Sequence, residues 1–172
     1  FNPNKPVILI MGGGLGSQLL NRSITEILPK LIIDYQVVHL CGKGKLENNT
    51  PFPNYRCFEY LNDELFDVMA ASDLVISRAG ANSVFELLIL KKLNILIPLS
   101  KKASRGDQLD NARFAEQKGC SLVIQEENLT GLKLFESINQ IITHPHNYQA
   151  ALEKFEFQNG SEKIWCEIEK YL

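Results

Sequence analysis

The chain has 172 residues, of which 45% are hydrophobic and 22% charged, a composition typical of one globular domain with a sizeable core. Its formal net charge of −2 gives no electrostatic reason to expect a nucleic-acid partner. No apolar run in the sequence is long enough to span a bilayer, and no signal peptide is visible.

The first predicted elements are a linker, a buried strand and a glycine-rich turn. Residues 1–6 predict a linker from a preceding N-terminal domain, and residues 1–172 are predicted to form a single domain. The apolar run Val7–Met11 predicts a strand, and a glycine-rich turn over residues 12–17 leads into a helical pattern that runs to Pro29. This order directs backbone N–H groups and a helix dipole at a phosphate, although the turn could also be only a tight connection.

Two better-known phosphate motifs do not fit the glycine-rich turn. The dinucleotide fingerprint would need glycine at position 17, where Ser17 stands, and the acidic residue expected after the second strand is missing. A Walker A motif needs a hydroxyl residue after Gly-Lys, and residues 42–45 lack it. The turn therefore predicts a phosphate site of another type.

The next predicted elements are two strands and a helix. The strands cover residues 37–40 and 55–61, with a polar loop over residues 42–54 between them. Asn62 and Asp63 precede the helix over residues 64–71 and are predicted to cap it.

A second strand–turn–helix pattern occupies the middle of the chain. An apolar run over residues 74–76 predicts a buried strand, and a turn with Gly80 follows it. Asn82 and Ser83 are predicted to cap the next helix.

Glu86 stands alone among the apolar positions of that helix. A carboxylate in such a helix costs free energy unless something binds it. Glu86 is therefore predicted to accept hydrogen bonds from ligand hydroxyls just beyond the strand. The alternatives are that Glu86 faces solvent or pairs with Arg78.

The remaining pattern continues to alternate strands and helices. Strands are predicted over residues 95–99 and 121–124, a polar loop over residues 100–106, and helices over residues 107–118, 131–143, 147–156 and 161–171, with Gly119 as a helix C-cap.

This alternation predicts an α/β fold, with a Rossmann-like parallel sheet of about six strands and helices on both faces. The glycine turn, the turn before Glu86, the loop before residue 107 and Leu61-Asn62 all follow strands. Because parallel strands end at the same edge, these segments are predicted to converge at that edge, where such sheets bind ligands.

Cysteine and histidine offer no further site. The four cysteines form no C-x-x-C pair and are predicted to be reduced thiols, mostly buried. The His-Pro-His sequence at residues 144–146 has no further ligand nearby, and no D-x-D pair is present to hold Mg²⁺. No metal is therefore expected.

Three segments together resemble one known family. They are the turn from Met11 to Ser17, residues 77–81 with Glu86, and Asp107-Gln108 with Asn111-Ala112. In order and spacing they are similar to the C-terminal domain of the MurG-type UDP-N-acetylglucosamine transferases, a glycosyltransferase family 28 group with the two-domain GT-B fold. The likeness covers nearly the whole chain, and the combination of motifs is more specific than any one of them.

The resemblance implies a function. The chain would be the donor-binding domain of an inverting transferase that moves GlcNAc from UDP-GlcNAc to a lipid-linked acceptor, converting lipid I to lipid II in peptidoglycan synthesis. The acceptor and the catalytic base would belong to an N-terminal domain of the same protein, a cytoplasmic enzyme peripheral at the inner face of the membrane. UDP-GlcNAc is a substrate, so no cofactor is expected, and the chain alone should bind the donor without turnover.

The resemblance also implies donor-binding positions: Gly13, Gly14, Gly16, Leu61, Arg78, Gly80, Ala81, Asn82, Ser83, Glu86, Asp107, Gln108 and Asn111. The first three glycines would lie against the diphosphate, Leu61 would pack on the uracil, and the helix start near residue 81 would face the phosphates. Glu86 would accept from the ribose hydroxyls. Residues 107–108 would hold the sugar hydroxyls, and Asn111 would support their loop.

Two positions depart from the family pattern. Gly14 stands where a hydroxyl residue is common, so one side-chain contact to phosphate is missing there. Asp107 stands where an amide is common. The family's catalytic base and its phosphate-binding arginine near the interdomain linker have no counterpart in the chain.

Two other functions fit the same patterns. One is a UDP-sugar epimerase or hydrolase built on the same two-domain plan. The other is a stand-alone donor-binding subunit that works with a separate membrane partner. An N-terminal half in the same gene would separate these possibilities.

Overall fold

Six strands form one parallel sheet in the computed structural model, which describes residues 1–14, 16–46, 52–101, 105–156, 165 and 167–170. The strands are Val7–Met11 (β1), Gln36–Leu40 (β2), Tyr55–Phe58 (β3), Leu74–Ser77 (β4), Leu93–Leu96 (β5) and Leu122–Val123 (β6). Their order is β3-β2-β1-β4-β5-β6, and all neighbouring pairs are parallel. The predicted fold class is confirmed.

Helices cover both faces of this sheet. They are Gln18–Asp34 (α1), Glu64–Ala71 (α2), Ala81–Ile89 (α3), Asp107–Gln117 (α4), Gly131–Thr143 (α5) and His146–Lys154 (α6), with a short 3-10 turn over Glu126–Asn128. Helices α1 and α5 contribute to the apolar cluster on one face. Helices α2, α3, α4 and α6 contribute to the cluster on the other. No described helix is long and apolar enough to cross a membrane.

The central strands fill the core because they are apolar on both sides. In β1, Ile8 and Ile10 belong to one cluster, and Leu9 and Met11 belong to the other. Ile8 and Val75 are fully buried, as the prediction of interior strands requires. Each such side chain contributes about 1.5–3 kcal/mol by leaving water.

Helix α1 is longer than predicted, because it passes through Pro29 and ends at Asp34. Proline removes one intrahelical hydrogen bond and usually ends or bends a helix. Here Leu28 and Leu31, on either side of it, are buried in the cluster shared with α5. Packing of this turn therefore outweighs the local preference of proline.

The extents of two strands, β3 and β5, differ most from the prediction. Strand β3 ends at Phe58 rather than at residue 61, because its partner β2 ends at Leu40, opposite Phe58. Strand β5 covers Leu93–Leu96 rather than residues 95–99, since Leu96 lies opposite the last residue of β4. Apolar runs in the sequence show which residues are buried, whereas the residue at which a strand ends depends on the neighbouring strand.

The caps were predicted only in part. Asp63 occupies the N-cap position of α2, but neither its side chain nor that of Asn62 makes a cap hydrogen bond in the structure. Gly119 follows α4 with a left-handed φ of +71°, as expected of a residue that ends a helix. Of the helix predicted over residues 161–171, most lies outside the described residues, as do parts of the loops over 42–54 and 100–106.

Two of the described cysteines and one histidine, His39, are buried in the fold. Cys41 and Cys120 are buried free thiols, Cys57 is half-buried, and Cys166 lies outside the described residues. His39 in β2 is buried between Asn21 Oδ1 at 3.0 Å and the Tyr55 hydroxyl at 2.9 Å. Burial lowers the pKa of His39 to about 4, so the ring is neutral near pH 7.

Candidate functional site

The order of the strands reverses between β1 and β4. From β1 the chain proceeds to β2 and β3 on one side, and then returns to β4 on the other. Met11 and Ser77 lie opposite each other at the ends of these two strands, and Arg78 N–H donates to Met11 O at 3.3 Å. Ligands of open α/β sheets bind in the crevice at such a reversal. The glycine turn and the turn before α3 flank it.

The glycines of the first turn serve different purposes. At Gly12 an added Cβ would lie 2.6 Å from Ser17 N, and at Gly16 it would lie 2.0 Å from Cys41 O, so close packing requires both glycines. Gly13 has a φ of +83°, which side chains disfavour. Gly14 is exposed, has an ordinary φ, and faces open space. Tight packing therefore explains the turn only in part, and Gly14 is free for close approach of a ligand.

Arg78 is buried and bonded within the protein. Its guanidinium donates to Ser17 Oγ at 2.6 Å, to Ile97 O at 3.1 Å and to Glu126 Oε1 at 2.6 Å. The alternative of an ion pair between Arg78 and Glu86 is therefore wrong, because the partner of Arg78 is Glu126. These contacts make Arg78 a residue that positions loops, and a direct contact with the donor stays a prediction.

Glu126 connects the ion pair to the loop after β5. Its second oxygen, Oε2, accepts from Ser100 N–H at 3.0 Å. Burial acts to raise the pKa of Glu126, but the hydrogen bonds from Ser100 and Arg78 and the Arg78 charge lower it by more. The pKa therefore lies below its ordinary value, and the carboxylate is charged near pH 7. The sheet edge is thus held together by a charged pair.

Helix α3 begins at Ala81, at least two residues earlier than its predicted caps imply. Gly80 is the N-cap, and the helix has no side-chain cap. Asn82 and Ser83 therefore lie in the first turn, and the prediction that they cap the helix is wrong. Ala81 and Asn82 are exposed, and Ser83 is half-buried. An uncapped first turn leaves N–H groups that an anion can satisfy.

The start of α4 supports the neighbouring loops. Gly106 precedes it with a φ of +98°. Gln108 Oε1 accepts from Leu99 N–H at 3.1 Å, which fixes the loop after β5. Asn111 Nδ2 donates to Ala79 O at 3.1 Å, so Asn111 supports the turn before α3 rather than its own loop. Asp107 is exposed at the start of the helix.

Glu86 is half-buried in the second turn of α3, and the described residues give it neither an ion pair nor a side-chain hydrogen bond. It lines a groove of about 1110 Å³ that also contains Asn82, and that continues between α3, α4 and α6 past Phe85 and Phe114. None of the described residues of the glycine turn lines this groove. Leu61 lies after β3, half-buried against the apolar cluster beneath α3.

The structure thus brings together most of the predicted segments at one sheet edge. Direct hydrogen bonds join the glycine turn, the turn before α3 and the loop after β5. Two members of this network, Ser17 and Glu126, were not among the predicted site residues. The buried Arg78 implied an anionic partner, but a carboxylate 48 positions away gave no local signal.

Comparisons with known proteins agree with this arrangement. Residues 7–164 match the family model described as the glycosyltransferase family 28 C-terminal domain. The chain is 47% identical, over 99% of its length, to the UDP-N-acetylglucosamine--N-acetylmuramyl-(pentapeptide) pyrophosphoryl-undecaprenol N-acetylglucosamine transferase of Clostridium perfringens strain SM101. It is 46% identical to the enzyme of the same name from Clostridium botulinum strain Kyoto.

The chain spans about half the length of these relatives, 48% and 49% respectively. Among solved structures, it is similar to MurG from Acinetobacter baumannii with a TM-score of 0.78. That likeness covers 97% of this chain and 50% of the solved one at 22% identity, and it supports the fold alone.

Proposed function

The chain belongs to the glycosyltransferase family 28 C-terminal domain family, and from this membership we propose that it binds the UDP-sugar donor of an N-acetylglucosamine transferase. The relatives that carry the name of such a transferase match this chain along nearly its whole length. They support UDP-GlcNAc as the donor.

The proposal rests on one observation, the pair of turns at the strand reversal. A glycine turn with exposed Gly13 and an unhindered Gly14 lies beside the uncapped start of α3. Backbone N–H groups and two helix N-termini therefore meet at one edge of the sheet. Such an arrangement stabilises a diphosphate without a metal ion.

The remaining donor groups are assigned by position. In this proposal Gly13, Gly14 and Gly16 lie against the diphosphate, and Leu61 packs on the uracil. Glu86 accepts from the ribose hydroxyls. The turn at Gly80–Ser83 presents N–H groups to the phosphates, and residues 107–108 contact the sugar.

The reaction requires that the leaving UDP be stabilised while negative charge develops on it. Fixed backbone dipoles supply this stabilisation without reorganisation during the reaction. In this proposal the donor site needs no metal ion, because backbone amides and helix N-termini supply the stabilisation. The hydrogen bonds from Arg78 keep the loops in place.

The attacking hydroxyl and its base belong to the other half of the enzyme in this proposal. The acceptor is lipid-linked, and transfer converts lipid I to lipid II in peptidoglycan synthesis at the inner face of the cell membrane. The 172-residue chain should therefore bind the donor but not transfer the sugar. The names of the relatives favour a transferase over an epimerase or hydrolase.

Calorimetric titration of the chain with UDP, UDP-GlcNAc and ADP-glucose tests the proposal. We expect UDP and UDP-GlcNAc to bind equally well with and without EDTA, because the site uses amides and helix N-termini. ADP-glucose should bind much more weakly, since Leu61 and its backbone are expected to accept uracil. Loss of UDP binding in EDTA would refute the metal-free site, and equal binding of ADP-glucose would refute the assigned base specificity.

A further inference from the structure

Ser17 has one hydrogen-bonding function that no described residue satisfies. A serine hydroxyl has two acceptor lone pairs and one donor hydrogen. Ser17 Oγ accepts from Leu20 N–H at 3.3 Å as the N-cap of α1, and from Arg78 Nη2 at 2.6 Å. Both lone pairs are therefore occupied. The described residues offer no acceptor to its hydrogen, although Ser17 is only 6% exposed.

The Ser17 hydroxyl lies at the junction of the glycine turn and α1. Ser17 ends the glycine turn and begins α1, a helix of 17 residues whose dipole favours an anion at its start. Its oxygen accepts from one donor of the helix backbone and from one buried cation. The hydrogen of the hydroxyl is therefore left for a third group.

The positive charge of Arg78 also strengthens the Ser17 hydroxyl as a hydrogen-bond donor. Glu126 binds Arg78 at 2.6 Å, and Arg78 in turn binds Ser17 Oγ at 2.6 Å. Hydrogen bonds arranged in a chain polarise one another, and those that end on a charged group are the stronger ones. An oxyanion at the glycine turn is the acceptor that would complete this series of hydrogen bonds.

We propose that the Ser17 hydroxyl donates a hydrogen bond to a phosphate oxygen of the bound nucleoside diphosphate. This inference rests on the proposed function and adds a residue to it.

The test compares UDP with uridine in four forms of the 172-residue chain: the wild type, Ser17→Ala, Ser17→Thr and Thr130→Ala. Thr130 is the matched control, since its side chain caps α5 by accepting from Lys133 N–H at 3.1 Å. Its neighbour Gly131 packs against Glu26 and Ile27 in the middle of α1 rather than against the start of that helix. Dissociation constants come from calorimetry for UDP and from ligand-detected NMR for uridine. Circular dichroism confirms folding at the temperature used.

Ser17→Ala should weaken UDP binding about tenfold, as expected for a hydrogen bond to a charged group, and change uridine binding less than twofold. Ser17→Thr should retain UDP affinity within about threefold, and Thr130→Ala should retain it fully while lowering the melting temperature. If Ser17→Ala fails to fold, Ser17→Cys replaces it, because the thiol preserves the shape but is a weak donor.

Three results would overturn the assignment or its premise. If the wild type binds UDP and Ser17→Ala binds it equally well, the proposed contact of Ser17 with the phosphate is refuted, and the proposed function is not. Equal weakening of UDP and uridine would mean that Ser17 only supports the fold of the site. A wild-type chain that binds neither ligand would refute the proposed function, and the role of Ser17 with it.

Discussion

Replacing Glu126 with alanine is expected to lower the free energy of unfolding by about 3 kcal/mol at pH 7. Breaking a buried ion pair by removing one partner leaves an uncompensated charge, which typically costs about 3–5 kcal/mol. The side chains of Arg78 and Glu126 are 9% and 16% exposed, so the lower end of that range applies. Urea unfolding followed by circular dichroism measures the loss.

The matched control is Asp110→Ala. Asp110 pairs with Arg113 at 3.2 Å, but the two side chains are 77% and 63% exposed. Exposed pairs contribute about 0–1 kcal/mol, so this variant should remain close to the wild type. Equal losses in the two variants would contradict the claim that the Arg78–Glu126 pair holds the sheet edge together.

The same pair makes stability depend on pH. The pKa of Glu126 is lower in the folded chain than in the unfolded one, so the unfolded state binds its proton first. The stabilisation is complete above the ordinary carboxyl pKa, and it is lost as the pH falls through the lower folded value. Glu126→Gln should therefore lose less stability than the wild type on acidification from pH 6 to pH 3.

Replacing Glu86 with glutamine is expected to weaken UDP binding by about one to two orders of magnitude. Two ribose hydroxyls can donate to one carboxylate, and hydrogen bonds to a charged group contribute about 1.5–3 kcal/mol. The melting temperature should change little, because no described residue forms an ion pair or side-chain hydrogen bond with Glu86. Calorimetry and thermal unfolding of the same variant measure both quantities.

Two comparisons sharpen this prediction. Glu136→Gln, on the exposed side of α5, should leave UDP affinity unchanged. 2′-Deoxy-UDP should lose less affinity than UDP when Glu86 is replaced, because one of the two donors is already absent. Unchanged UDP affinity in Glu86→Gln would remove Glu86 from the site, whatever happens to stability.

The sequence predicts the layers of this fold better than its connections. Fully apolar runs such as residues 7–11 and 74–76 identify the central strands, because both sides of a parallel strand are buried. The edge at which the loops converge follows from parallel pairing alone. Strand ends and the path of α1 through Pro29 depend on neighbouring elements, which no local pattern contains.

The same distinction applies to the candidate site. The glycine turn was predictable because glycines act through the backbone, whereas the start of α3 lies at least two residues before its predicted caps. The partners of Arg78 were not, since Ser17 and Glu126 lie 61 and 48 positions away in the chain. A buried cation requires an anion, but only the fold determines which carboxylate reaches it.

Mapping UDP on the ¹⁵N-labelled chain by NMR tests the central claim, that the donor binds at the strand reversal. We expect the largest amide shift changes at Gly13, Gly14 and Ser17 and in the first turn of α3, with smaller changes near Leu61. The amides of Phe114 and Lys118, which line the groove between α3, α4 and α6, should change little. Changes confined to that groove, with the glycine turn unaffected, would contradict the account.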